Sequence, residues 1–321
     1  MRNNQAKSKR GVLLVNLGTP DEPTAKAVSR FLREFLSDPR VIDLPALPWR
    51  LFLNTVVLPI RSPRVAKKYH EIWGEEDSPL RTSTRQIAKK LTERLSIPVK
   101  VGMRYGNPSI VQALLELRQE RVEHLVVLPL FPQYSSSTTA SVFDAVTRAF
   151  KNCPALPHFK FIGDYHTNEG YIQALAEKVK SHWASNGRSQ KLLITFHGLP
   201  KRYVKKGDVY EKQCQTTAAL LAEALVLQTS DWELCYQSRF GKAQWLQPYT
   251  ASVLTALPAQ GIKSVDVISP GFPADCLETL EELCIQYRVL FEEAGGQVYR
   301  YIPALNEDDM HIDFLADLIR I

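Results

Sequence analysis

The 321-residue sequence contains nothing approaching the roughly 18 uninterrupted apolar residues that a membrane-spanning helix needs. Its first ten residues, MRNNQAKSKR, are polar and basic, with no apolar segment before Gly11. Neither a spanning helix nor a secretory leader is expected. Cysteine is sparse: Cys153, Cys214, Cys235, Cys276 and Cys284 are scattered, odd in number and without a C-x-x-C pair. That argues against a disulfide framework and against a closed zinc or iron–sulfur site, and it points to a reducing cytoplasm. Neither G-x-G-x-x-G nor a Walker sequence occurs, so dinucleotide and NTP binding are not indicated. No repeat of fixed period marks a solenoid. The net charge is +6 and the pI near 9.0, which suits an acidic ligand. The basic residues are dispersed, however, with only short pairs such as Lys205–Lys206, so most are read as solvated surface and no nucleic-acid partner is expected.

What is present is a chain long enough for two cores, with short Val-, Ile- and Leu-rich runs separated by longer helical patterns. The runs are Gly11–Leu17, Val99–Met103, His124–Phe131, Lys191–Phe196, Glu233–Tyr236, Ser264–Ile268 and Gln297–Ile302. This alternation predicts an α/β fold of two similar Rossmann-like domains, each a parallel sheet flanked by helices. The expected domains are 1–155 and 156–321, joined at the Pro-punctuated stretch Cys153–Pro157, where paired prolines favour extended backbone. The C-terminal helix near 307–321 is expected to pack back on the first domain. Leu44–Ile60 is an apolar, Pro-punctuated excursion that reads as a lid, a membrane-facing lip or an irregular helix pair.

In open α/β sheets ligands bind beyond the carboxyl ends of the strands. His197 ends such a run and is followed by Gly198-Leu199-Pro200, so a turn holds its imidazole at the sheet mouth. There it can accept a proton or bind a metal near neutral pH; the plainer alternative is that it satisfies a turn carbonyl. In PGFPADCLETLEEL a helix beginning near Pro273 or Ala274 would place Asp275, Glu278 and Glu282 on one stripe. Such a line can accept protons or bind hard cations, although acids in a first turn also stabilise the helix dipole. Gly18-Thr19-Pro20 and the run Gln133–Thr139, which includes Ser135, offer amides and hydroxyls at strand ends, for anion binding or for helix capping. Trp245, Tyr249, Met103-Arg104-Tyr105 and Tyr69 supply aromatic and cationic groups suited to a large, flat, acidic ligand.

Several separated motifs, VNLGTPDEP, RYGNPSI, LPLFPQYSSSTTAS, TFHGLPKRY, CYQSRFGKAQWLQP and PGFPADCLETLEEL, together resemble the ferrochelatases. Those enzymes insert ferrous iron into a porphyrin to make haem. The resemblance implies a porphyrin held between the domains, with His197 facing Glu278 as proton acceptor or metal ligand and Asp275 and Glu282 as a proton or metal relay. It implies a pocket lined by Leu17, Tyr69, Arg104, Tyr105, Ser135 and Trp245. The substrates would be protoporphyrin IX and Fe²⁺, with no permanently bound cofactor. It also allows peripheral contact of Leu44–Ile60 with the inner face of the membrane, and contact with the preceding porphyrin-pathway enzyme.

The chain departs from the pattern in two ways, and Leu17 places it among the variants. It ends DFLADLIRI without cluster cysteines, and Ser136 stands where animal members have another, so no iron–sulfur cluster is expected. Cys276 replaces a histidine that many members carry beside the acidic stripe. Leu17 stands where members from many Gram-positive bacteria that metallate coproporphyrin have tyrosine, and so resembles the protoporphyrin type. Alternative readings are a coproporphyrin or other tetrapyrrole chelatase, and a tetrapyrrole carrier without catalysis.

Overall fold

The computed structural model describes residues 9–151, 153–241 and 243–320; the basic opening, 1–8, lies outside them. The chain first runs through β1 (Arg10–Thr19), α1 (Ala25–Leu36), α2 (Ala46–Phe52), α3 (Leu58–Ile72), α4 (Pro79–Leu95), β2 (Val99–Gly106), α5 (Ile110–Gln119), β3 (His124–Pro129), α6 (Ser141–Phe150) and β4 (His158–Phe161). It continues through α7 (Glu169–Asn186), β5 (Lys191–His197), α8 (Lys201–Lys205), α9 (Tyr210–Ala224), β6 (Trp232–Gln237), α10 (Thr250–Ala256), β7 (Ser264–Ile268), α11 (Tyr287–Glu293), β8 (Val298–Tyr301) and α12 (Asp309–Arg320). The sheets are ordered β2-β1-β3-β4 and β6-β5-β7-β8, and every pairing is parallel. The two orders are the same when each sheet is counted from its own first strand. The fold is therefore α/β, with two similarly wound Rossmann-like sheets.

Local sequence accounts for the elements. Central parallel strands are covered on both faces and so read as continuous apolar runs; Val12–Val15 and Leu193–Ile194 have no exposed surface. Each fully buried side chain of this size contributes ~1.5–3 kcal/mol. Helix starts follow capping chemistry: Ser78, Ser109 and Asn168 each accept a backbone N–H of the first turn, and Pro79 occupies the position where a missing N–H costs nothing.

The first sheet extends past the boundary expected at 155/156. β4 pairs with β3 from His124↔His158 to Val127↔Phe161, so the prolines at 154 and 157 precede an edge strand of the first sheet. The two halves also share one core. Val12 and Leu128 of the first sheet join Leu192 and Ile194 of the second through α4, α7 and α12. α12 lies against α4 and α7, where Lys90 bonds Asp309 at 2.8 Å and Lys178 bonds Asp308 at 2.6 Å.

Among the described residues three stretches are π-helical: Leu53–Val57, Ser136–Ala140 and Glu278–Gln286. This geometry is rare and concentrates at functional sites. Between α2 and α3 the Leu44–Ile60 excursion forms two helices joined by the first π segment, with Leu47 (82%), Leu51 (68%) and Phe52 (49%) exposed. Among the described residues no helix is long and apolar enough to cross a membrane.

Candidate functional site

In a sheet of this order the crevice opens at the carboxyl edge between the first and third strands. In the second sheet these are β5, which ends at His197, and β7, which leads into Ser269–Leu277. In the first they are β1, which carries Leu17, and β3, which leads into the Gln133–Thr139 loop.

His197 Nδ1 lies 2.7 Å from the Gly198 carbonyl oxygen. A carbonyl only accepts, so in the neutral ring Nδ1 carries the proton and Nε2 keeps its lone pair for a proton or a metal. The turn-carbonyl role and the chemical role thus coexist on the two ring nitrogens. The ring sits among Trp245 and Phe272, with centroids 6.5 and 6.4 Å away. Gly198 is required here: an added Cβ would lie 2.8 Å from the Gln237 carbonyl oxygen and 3.1 Å from the Trp245 ring. Trp245 is fixed by its Nε1 donating to the Phe240 carbonyl at 2.9 Å, and Arg61 of α3 lies 4.7 Å over the Phe240 ring. Arg61 is partly buried and has no carboxylate partner among the described residues.

The expected carboxylate stripe is redrawn by the structure. The helix begins at Leu277, not Pro273 or Ala274, so Asp275 lies in the irregular lead-in. Its carboxylate accepts from Tyr301 (2.7 Å), Asn306 (2.8 Å), Thr279 (2.9 Å) and the Ala304 N–H (3.4 Å). Those donors make Asp275 an anchor between the loop and β8 rather than a member of a line. Glu282 is likewise occupied: it accepts from the Ser238 N–H (3.0 Å), the Ser238 hydroxyl and Tyr287 (2.7 Å). Glu278 opens the π segment, and its backbone carbonyl accepts from Gln237 at 2.8 Å. Gln237 is the register partner of His197, so one side chain ties the strand that ends in the imidazole to the segment that carries the carboxylate. The Tyr69 hydroxyl is held protonated first by burial and then by the Glu278 charge, and the Cys276 thiol is pushed well up by the same two causes. Leu277 packs in one cluster with Tyr69 of α3, so the segment that Glu278 opens lies where the two halves meet.

The residues expected to line the pocket divide into two groups. Leu17 and Tyr69 form one cluster with Tyr105 and with Leu277 from the second half. Arg104 and Tyr105 belong to a polar network: the Arg104 guanidinium pairs with Asp38 and donates to Ser141 Oγ at 2.6 Å, while the Tyr105 hydroxyl donates to Asp38 at 2.8 Å. Tyr105 has no exposed surface, so it supports Arg104 from behind instead of forming a wall. Buried Ser135 donates to Asp208 at 3.0 Å and caps the second π segment, which makes it a tie between the halves. Trp245 stands against His197.

Sequence reasoning missed Asp38, Ser141, Gln237 and Glu281. Asp38 follows Ser37 at the end of α1, away from any strand end, and carried no signal. Ser141 ends the hydroxyl run of LPLFPQYSSSTTAS, and Gln237 ends a strand, so both were open to discovery. Glu281 is buried and pairs with Lys68 of α3 at 3.0 Å. Among the described residues no three His, Cys, Asp or Glu side chains converge as a closed metal cage; the pair His197 and Glu278 offers one nitrogen and one carboxylate.

A family model described as Ferrochelatase matches residues 9–321. The ferrochelatase of Vibrio parahaemolyticus is 51% identical over 316 residues, covering 98% of this chain and 99% of that protein. Ferrochelatase 1 of Shewanella oneidensis is 51% identical over 316 residues, covering 97% of this chain and 95% of that one. Among solved structures, SirB from Bacillus subtilis with Fe³⁺ superposes with a TM-score of 0.59 at 12% identity, covering 97% of this chain and 94% of that one. CbiX, the terminal enzyme of sirohaem biosynthesis in denitrifying bacteria, gives 0.52 at 13%, covering 97% and 98%. The two structural likenesses speak for the fold alone, but with a full-length family match and half-identical relatives, this chain belongs to the ferrochelatase family.

Proposed function

We propose that this chain inserts Fe²⁺ into protoporphyrin IX to form protohaem, the last step of haem synthesis, and that it acts as a metal chelatase of the lyase class. The observation that carries the reading is the His197 ring, whose Nδ1 is held by the Gly198 carbonyl and whose Nε2 is available at the mouth of the second sheet. Insertion requires two pyrrole N–H protons to leave as Fe²⁺ enters. His197 Nε2 takes up a departing proton, and Glu278 serves the other face as a second acceptor or as the approach ligand for iron. Glu282 and Asp275 contribute by holding the loops on either side of Glu278 rather than by carrying protons themselves. Trp245 and Leu17 offer apolar surface to the macrocycle. Arg61, without a carboxylate partner among the described residues, supplies positive charge for its propionates, and Arg104, paired with Asp38, offers them an N–H donor. Leu17 at the end of β1 supports protoporphyrin over coproporphyrin.

Iron is substrate here, and no iron–sulfur cluster is assigned to the chain. The protein works in the cytoplasm, with Leu44, Leu47, Leu51, Phe52, Val56 and Ile60 resting on the inner face of the membrane, where an apolar porphyrin and the preceding pathway enzyme are at hand. Anaerobic titration of the protein with Fe²⁺ and protoporphyrin IX, followed by the shift of the porphyrin absorbance, tests the activity. Faster metallation of protoporphyrin than of coproporphyrin is expected. Stoichiometric porphyrin binding without turnover, for either porphyrin and also with Zn²⁺ or Co²⁺, would make the chain a carrier.

A further inference from the structure

A second cavity, of about 520 Å³, opens at the opposite, amino-terminal edge of the first sheet. Three neighbouring strands begin there, and their first residues are in register: Arg10 of β1 beside His124 of β3, and His124 beside His158 of β4. Register partners in a parallel sheet point to the same face, and Lys160, two residues beyond His158, shares it. The result is a ladder of four basic side chains on one face. The two imidazoles stack with centroids 5.0 Å apart and planes 17° from parallel.

Arg10 and Lys160 form no ion pair among the described residues, whereas Arg320, also on the rim, is paired with Asp317 at 2.9 Å. The floor is apolar: Leu95 at the end of α4, Ile97 just beyond it, Val126 of β3 and Ile319 of α12. No carboxylate lines the cavity among the described residues. Cations without an ion-pair partner among the described residues, beside an apolar floor, are complementary to an anion with an apolar body, and the volume lies within the range of small-molecule sites. The same cations oppose a metal ion, although two adjacent imidazoles could otherwise attract one.

We propose that this cavity is a second ligand site, distinct from the interdomain cleft, for a small amphipathic carboxylate: one anionic head on the Arg10–His124–His158–Lys160 ladder and an apolar tail on the Leu95–Ile97–Ile319 floor. Calorimetric titration of the full chain with octanoate tests it, with octan-1-ol and inorganic phosphate as tail-only and head-only probes. Octanoate should bind at least ten-fold more tightly than either. Arg10→Glu and Lys160→Glu should each weaken octanoate at least ten-fold, leave octan-1-ol unchanged and leave iron insertion intact. The ring proton signals of His124 and His158, assigned through His124→Gln and His158→Gln, should move on octanoate addition in the wild type. Octanoate affinity untouched by both charge reversals, or unmoved histidine signals, would overturn the proposal. So would phosphate binding as tight as octanoate, which would leave a bare anion site. Tight Zn²⁺ binding lost in His124→Gln, with no octanoate binding, would overturn it in favour of a metal site.

Discussion

Gly18 illustrates how narrowly single residues set the cleft. Its φ is +108°, and an added Cβ would lie 1.8 Å from the Tyr105 carbonyl oxygen. Gly18→Ala therefore forces β1 and β2 apart beside Leu17 and Arg104, and is expected to cost at least ~2 kcal/mol by urea unfolding. A midpoint equal to wild type would refute the close packing. His311 is a second case. It is fully buried on α12, bonded through Nδ1 to the Asn306 carbonyl, with its Nε2 lacking a partner among the described residues. Burial pushes its imidazole down to about 4, from an ordinary value near 6.5. Between those two pH values the unfolded chain holds a proton that the folded chain does not. Stability from this residue is therefore full above about pH 6.5 and is lost as pH falls toward 4, by ~3 kcal/mol at most. Urea midpoints of His311→Gln should fall less steeply over this interval than those of wild type; parallel curves would assign the acid sensitivity elsewhere.

At the scale of elements, the π segment Glu278–Gln286 matters most. It is held from the second sheet by Gln237 and from the first half by Lys68, whose partner Glu281 has a side chain only 6% exposed. Lys68→Ala leaves Glu281 with Gln286 alone and should cost ~1–2 kcal/mol, read as a lower thermal midpoint. Gln237→Ala should lower kcat more than it raises KM, because it loosens Glu278 relative to His197 without removing a ligand contact; a pure KM effect would count against that role.

Every strand of the two sheets except β4, and the placing of His197 at a strand end, were legible in the sequence, since buried parallel strands and turn residues leave unambiguous patterns. Two elements were not. β4, with sequence HFKF, is a short exposed edge strand whose pattern is swamped by the prolines before it. The carboxylate stripe was drawn on α-helical spacing from Pro273, whereas the helix starts four residues later and is wound with i→i+5 bonds, for which sequence offers no periodic signal. The Asp38 network was invisible because its members lie 66 and 103 residues apart.

At the scale of the molecule, two sheets of one topology share a continuous core, closed by α12 against α4 and α7. The first half also carries the exposed apolar lip of α2 and α3. If it rests on a membrane, Leu47→Asp with Leu51→Asp should reduce co-sedimentation with anionic vesicles several-fold while leaving turnover of detergent-solubilised porphyrin unchanged; equal co-sedimentation would remove the lip from the account. The most direct test of the whole is single-turnover insertion of Fe²⁺ into protoporphyrin IX under anaerobic conditions, comparing wild type with His197→Ala and recording porphyrin affinity alongside. A fall of ~10²-fold or more in the insertion rate with porphyrin affinity retained is the predicted result, and insertion at the wild-type rate by His197→Ala would contradict the assignment of the chemistry to this residue.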